Sequence, residues 1–237
     1  MSNFQSFFNY IIQNKLKLVV VYFVLVVGLY LNISSTVSFY KSHSVHFSLL
    51  KLISLSFSIP TLSTFLVLLF IFSFSDVNIK ELEIFKVLRI SSREQLQNKL
   101  IWNILFTAIL FTIIAFILNS IISASVLGIF DDILSVSTFI WFVVNFIFLI
   151  IGFFIVGIVI TVIYLSSKKL WISIFFTIIL ALIDTYSSVS IVFKQVTINI
   201  DTVVTPMKLI FMLSYLLVII YALINILGRV LRKYNFN

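Results

Sequence analysis

The sequence predicts an all-α, multi-pass membrane fold of about six transmembrane helices with both termini in the cytoplasm. Three observations carry that expectation. Hydrophobic residues make up 62% of the 237 positions, Phe alone supplies 27, and mean hydropathy is +1.23. A soluble domain of that composition has too little polar surface to cover its core. Charged residues leave uncharged stretches at 18–40, 52–75, 100–130, 133–167 and 209–228. Each exceeds the roughly 20 residues that a helix needs to cross the hydrocarbon. The 16 Lys and Arg residues then divide unevenly between the two sides of this layout. Only Lys41, Lys51, Lys194 and Lys208 fall outside, and the acidic residues divide evenly. The formal charge of +8 therefore belongs to the cytoplasmic face, as retention of positive loops during insertion requires. It is explained by topology and anionic headgroups, without nucleic acid.

Before the first span, Phe4, Phe7, Phe8, Ile11 and Ile12 recur at helical spacing opposite Asn and Gln. Residues 1–17 are read as an amphipathic interfacial helix, retained because no small-residue cleavage site follows. The second span carries Ser56, Pro60, Ser63 and Thr64 within a Ser/Thr-rich run. Lipid does not favour a polar, proline-broken centre, so this part should face protein or a cavity; helix packing is the competing reading.

A sixth span runs from Leu170 toward about Ser190 if Asp184 sits at the outer boundary. Residues 185–207 follow, too apolar for a free loop. They are expected along the outer interface or as a re-entrant segment. The whole chain, 1–237, reads as a single transmembrane domain. Richness in Ile, Phe, Asn and Lys suggests a low-GC coding bias, hence a bacterial plasma membrane.

Several chemistries are excluded by counting. With no Cys, thiolate metal sites and a Cys nucleophile are impossible. His43 and His46 are the two histidines, without neighbouring ligands that complete a metal site. No HExxH motif, Ser–His pair or intramembrane Asp pair is present, so no catalytic residue, metal or cofactor is assigned. No Gly precedes Lys in a phosphate-cradling loop, so the chain does not itself hydrolyse ATP. Asn103, Asn119, Asn145 and Asn225 are read as hydrogen-bonding groups between helices, with packing as the default role and substrate contact second.

The most informative stretch is Asp76–Lys99, on the cytoplasmic side between the second and third spans, with nine charged residues. Ile79, Leu82, Phe85 and Leu88 can share one helical face, and Ser91 with Glu94 has capping-box spacing. A short helix, a sharp corner and entry into the third span follow.

Here the chain resembles the permease subunits of type-2 ABC exporters. Asp76 takes the acidic position before the coupling helix, and Ile90, Ser91, Arg93, Leu96 and Lys99 match the entry into the third span. Lys80 and Glu81 replace the family's frequent Gly-Thr pair, and Arg89 replaces its Pro. Glu81, Ile84, Lys86, Leu88 and Ser91 also echo FtsX-like permeases. Those carry a large extracellular domain, whereas about eleven residues separate the first two stretches here.

The resemblance implies a separate cytosolic ABC ATPase docked on Asp76, Glu81, Glu83, Lys86, Arg89, Ser91, Arg93 and Lys99, aided by Lys168 and Lys169. It also implies a homodimer or a heterodimer with a second permease. The expected cargo is a hydrophobic or amphipathic molecule: an antimicrobial peptide, a lipid or a drug. Ser56, Pro60, Ser63 and Thr64 are the candidate substrate path. The alternatives are a non-transporting immunity or sensor partner in the membrane, and an ATP-independent carrier.

Overall fold

The computed structural model describes residues 15–43, 48–74, 93–128, 136–188, 191–197 and 205–233. Helices account for nearly all of these residues, with no strand among them. We number them α1 (Lys15–Ser42), α2 (Leu49–Ser56), α3 (Ile59–Phe74), α4 (Arg93–Leu127), α5 (Val136–Ser167), α6 (Leu170–Tyr186), α7 (Phe193–Val196) and α8 (Pro206–Lys233). Helices α1, α4, α5 and α8 are long and apolar enough to cross a membrane. The bent pair α2–α3 makes a fifth if counted as one span.

Helix α6 is apolar but has 17 residues, about 26 Å at 1.5 Å per residue, short of the usual spanning length. It ends at Tyr186, before the Ser190 expected from the sequence, because Ser187 is already extended at φ −70°, ψ 149°. The interfacial helix expected over 1–17 lies mostly outside the described residues, as do residues 75–92.

Four-residue spacing sets what each helix hides. Leu25, Leu29, Ile33 and Val37 form the buried stripe of α1, while Val19, Phe23, Tyr30 and Leu31 are exposed. Residues four apart lie above one another on a helix, so one side of α1 packs inward and the other is left uncovered. Leu96, Leu100, Ile104, Ala108, Phe111 and Ala115 repeat the pattern on α4. The centre is aromatic. Phe70 of α3 lies 5.5 Å from Phe111 of α4 and 5.0 Å from Phe153 of α5, ring centre to ring centre. These tilted and edge-on contacts favour aromatic pairs.

Small residues let the helices approach. A Cβ on Gly157 of α5 would stand 2.5 Å from Ile104 Cγ2 of α4, too close for any side chain. Helices α5 and α6 form a tight antiparallel hairpin whose corner is Lys168, at φ 57°. Its N–H bonds Tyr164 O at 2.8 Å and closes the end of α5.

Candidate functional site

The second expected span is broken into two helices inclined by 43°. Ser48 caps α2, its side chain accepting from Lys51 N. The helix stops where the N–H groups of Phe57 and Ser58 turn back to Ser54 O and Leu55 O. Pro60 then sits in the first turn of α3, where its missing N–H forfeits no helical bond. Leu62–Leu66 forms a π turn, a local overwidening often found at functional sites. Asn32 of α1 ties itself to the break through Thr61 Oγ1 at 3.3 Å.

This break lines a cavity of about 240 Å³ with Ser54, Leu55, Phe57, Ser58, Ile59 and Pro60, closed by Asn145 of α5 and Thr197 after α7. Of the four residues expected along a substrate path, Pro60 reaches this cavity. The other three hydroxyls turn onto their own helix: Ser56 donates to Leu52 O at 3.0 Å, Ser63 to Pro60 O at 3.2 Å and Thr64 to Pro60 O at 2.7 Å. The sequence reading located the break and Pro60 beside it; within the same Ser/Thr-rich run, Ser54 and Ser58 are the hydroxyl residues that line the cavity.

The asparagines divide in the same way. Asn119 bridges α4 to Ile53 O of α2 at 3.3 Å, and Asn225 bonds Tyr221 O in its own helix. Asn145 differs, because it is 2% exposed and its Oδ1 has no hydrogen-bond partner.

The segment after α6 reaches deep along the bundle. Asp184 accepts the backbone N–H of Ile191, that of Val192 at 3.1 Å and that of Phe193 at 2.8 Å. One carboxylate thus holds three successive amides and starts α7. Lys194 Nζ donates to Ser188 O at 3.1 Å and Ser187 O at 3.4 Å. Phe193 and Val196 are buried, and Val196 meets α5 at Gly152, where a Cβ would lie 2.9 Å from Val196 Cγ1. Gly152 stands at the middle of the 32-residue α5. Beneath α7 lies a second cavity of about 230 Å³, between α5, α6 and α8, with Ile155, Thr177, Ala181 and Leu223 among its lining. Its wall is almost wholly apolar and offers little to orient a ligand.

Of the expected ATPase-coupling residues, Asp76, Glu81, Glu83, Lys86, Arg89 and Ser91 lie outside the described residues. Arg93 and Lys99 are on the first two turns of α4. The Arg93 guanidinium donates to the backbone carbonyl of Arg232, and Gln97 Nε2 donates to Ile224 O at 3.1 Å. Gly228 permits this approach, since a Cβ there would sit 2.9 Å from Gln97 Oε1. The start of α4 is therefore fastened to the end of α8, a pairing that no sequence pattern announced.

These features define an all-helical protein with several apolar helices of membrane-crossing length, one of them broken beside a polar cavity. Compared with family models, with curated proteins and with solved structures, the chain matches none of them.

Proposed function

We propose that the protein is the six-span transmembrane subunit of an ABC exporter in a bacterial plasma membrane, with both termini inside, driven by a separate cytosolic ATPase. The observation that carries this reading is the fastening of α4 to α8 by Arg93 and Gln97, at the end of the charged Asp76–Lys99 segment. A push on that segment reaches two long helices at once, as a coupling element requires. The uncovered apolar sides of α1 and α8 suit contact with lipid and with a second permease in a homodimer or heterodimer.

In this reading α6 enters from the cytoplasm and stops short of the outer surface, and the Asp184-held segment within 185–207 dips back toward the bilayer centre. Irregular backbone at that depth is tolerated because it is covered by α5 and bonded to a carboxylate. The cargo is hydrophobic or amphipathic, since no charged side chain is among those lining the cavity at the broken helix.

The test uses charge-neutral changes that leave topology signals intact. Glu81→Gln with Glu83→Gln should weaken co-purification of the ATPase and cargo-stimulated ATP hydrolysis. Loss of an interfacial charge pair commonly costs about 2–5 kcal/mol, against less than about 1 for a solvated loop charge. Asp131→Asn with Asp132→Asn, on the outer side, should change neither. Equal behaviour of the two double variants overturns the coupling assignment. Absence of any stoichiometric ATPase under mild detergent favours the non-transporting immunity or sensor partner instead.

A further inference from the structure

Helices α4 and α6 hide their polar groups. Thr112, Asn119 and Ser123 of α4 and Ser173 and Thr177 of α6 are buried, while Ile117, Phe175 and Leu180 face outward. Hydrocarbon offers a polar side chain no partner, so such groups turn into the bundle. Helix α8 is arranged the other way round. Its buried stripe is Met212, Leu216, Leu227 and Leu231. The polar side chains of its uncharged run 209–228 are Ser214, Tyr215, Tyr221 and Asn225, and all four are exposed.

Three of them stand in one row. Met207, Phe211, Ser214, Val218, Tyr221 and Asn225 follow at alternating intervals of four and three, and every one is exposed. Met207, Phe211, Val218 and Tyr221 are 67–78% exposed, more than the flanking Ile210, Leu217 and Ile226. A row that repeats about every 3.5 residues is the seam along which two helices wind around each other.

The row also carries unused hydrogen-bonding capacity. Asn225 Nδ2 donates to Tyr221 O at 2.9 Å, which leaves its second N–H and its Oδ1. Among the described residues, Ser214 Oγ and Tyr221 Oη have no hydrogen-bond partner. Asn225 lies about 5 Å, and Tyr221 about 10 Å, inside Gly228, the last residue before Arg229. Their Cβ atoms tilt toward the start of the helix and so away from that charged end. Neither group reaches water there cheaply, and each unsatisfied group in hydrocarbon is costly.

We infer that α8 pairs in parallel with α8 of a second copy of this chain, the two Asn225 amides bonding each other. A two-fold axis brings each residue of the seam against its twin. The free N–H of one amide then donates to Oδ1 of the other and the reverse, so the side chain is complementary to itself. Ser214 and Tyr221 meet their own twins in the same register. No charge lies on the seam between Phe211 and Asn225, so nothing within the membrane drives two copies apart. The contact supplies the second permease that the exporter reading asks for, yet it stands on α8 alone.

The chain has no Cys, so single thiols report the pairing. In membranes treated with copper phenanthroline, Phe211→Cys and Val218→Cys should each form disulfide-linked homodimers. Phe176→Cys, on the exposed side of α6, should stay monomeric. Phe211 lies near one end of the helix, so its thiol meets its twin only in a parallel pair. Energy transfer between dye-labelled copies diluted in dioleoylphosphatidylcholine vesicles gives the association constant. Asn225→Leu should weaken association about tenfold, the loss of two reciprocal bonds per dimer. Asn225→Gln, which keeps the amide, should lose less.

Monomers at both seam positions, the result expected if lipid covers the face, overturn the inference. So does a cross-link of Val218→Cys to a different chain without a homodimer, which makes a second permease the occupant. A loss below about threefold in Asn225→Leu, or an equal loss in Asn225→Gln, also overturns it. Should Asn225→Leu fail to insert, the cross-linking pattern decides. The vesicles contain no ATPase. Homodimers without ATPase co-purification remove the exporter reading and leave this contact; co-purification with an unpaired α8 does the reverse.

Discussion

Replacing Asp184 should unseat α7 without unfolding the bundle. The carboxylate accepts three backbone N–H groups, from Ile191, Val192 and Phe193, and each hydrogen bond to a charged group contributes about 1.5–3 kcal/mol. The full sum does not apply, because the freed amides find other partners once the segment swings outward. A net loss of about 3 kcal/mol is the reasonable figure for Asp184→Ala, which raises the open population roughly 100-fold. Asp184→Asn keeps one acceptor oxygen and should fall near tenfold.

The absence of native Cys makes the measurement direct. A thiol placed by Val196→Cys, at a site 0% exposed against Gly152, should react slowly with maleimide in the parent protein. It should react faster in the Asp184 variants by the stated factors. Ile191→Cys, at a position 53% exposed, should react quickly in every background. Should the thiol of Val196→Cys react equally fast with Asp184 intact and with Asp184→Ala, the idea that the carboxylate seats the helix is refuted.

Other consequences are independent of that segment. Lys168→Gly should raise the unfolding temperature, by about 0.5–1 kcal/mol of stability, because Lys168 occupies φ 57°, where a Cβ is penalised and Gly is not. The same change at Ser167, on the last turn of α5, should lower it. Gly157→Ala should destabilise by about 1–3 kcal/mol in a detergent melt, since the new Cβ would meet Ile104 at 2.5 Å; an unchanged melt would show that α4 and α5 pack less closely than described. Single cysteines at Ser42 and Ser135 should label from outside intact cells, and those at Ser92 and Ser167 should not. External labelling of Ser92 would overturn the inside placement of the coupling segment.

Much of the helical layout was legible because it depends on local composition. The uncharged stretch 52–75 became the α2–α3 pair, and 133–167 became α5, since an apolar run bounded by charges is both a hydropathy signal and a helix. Pro60 was also read correctly as a break. Which of the Ser and Thr side chains at that break face the cavity was not legible. Helical-wheel counting assumes 3.6 residues per turn, and the bend at Ser58 followed by the π turn at Leu62–Leu66 changes the phase between Ser54 and Thr64. Ser56, Ser63 and Thr64 bond carbonyls three or four residues back, as helical Ser and Thr hydroxyls do, while Ser54 and Ser58 line the cavity.

By itself, then, the amino-acid order determined an all-helical chain of apolar segments, the place where one of them breaks, and the charged stretch before α4. Those properties follow from neighbours within a few turns. Tertiary structure alone decided that Asn145 and Thr197 meet the break, that Asp184 holds the amides of residues 191–193, and that Arg93 and Gln97 grip the end of α8. Each of these joins groups far apart along the chain or across a turn of irregular backbone. Their meeting depends on helix rotation and on close approach at glycines such as Gly152 and Gly228. A residue's type gives its capacity to hydrogen-bond, but the packing of distant helices sets its partner.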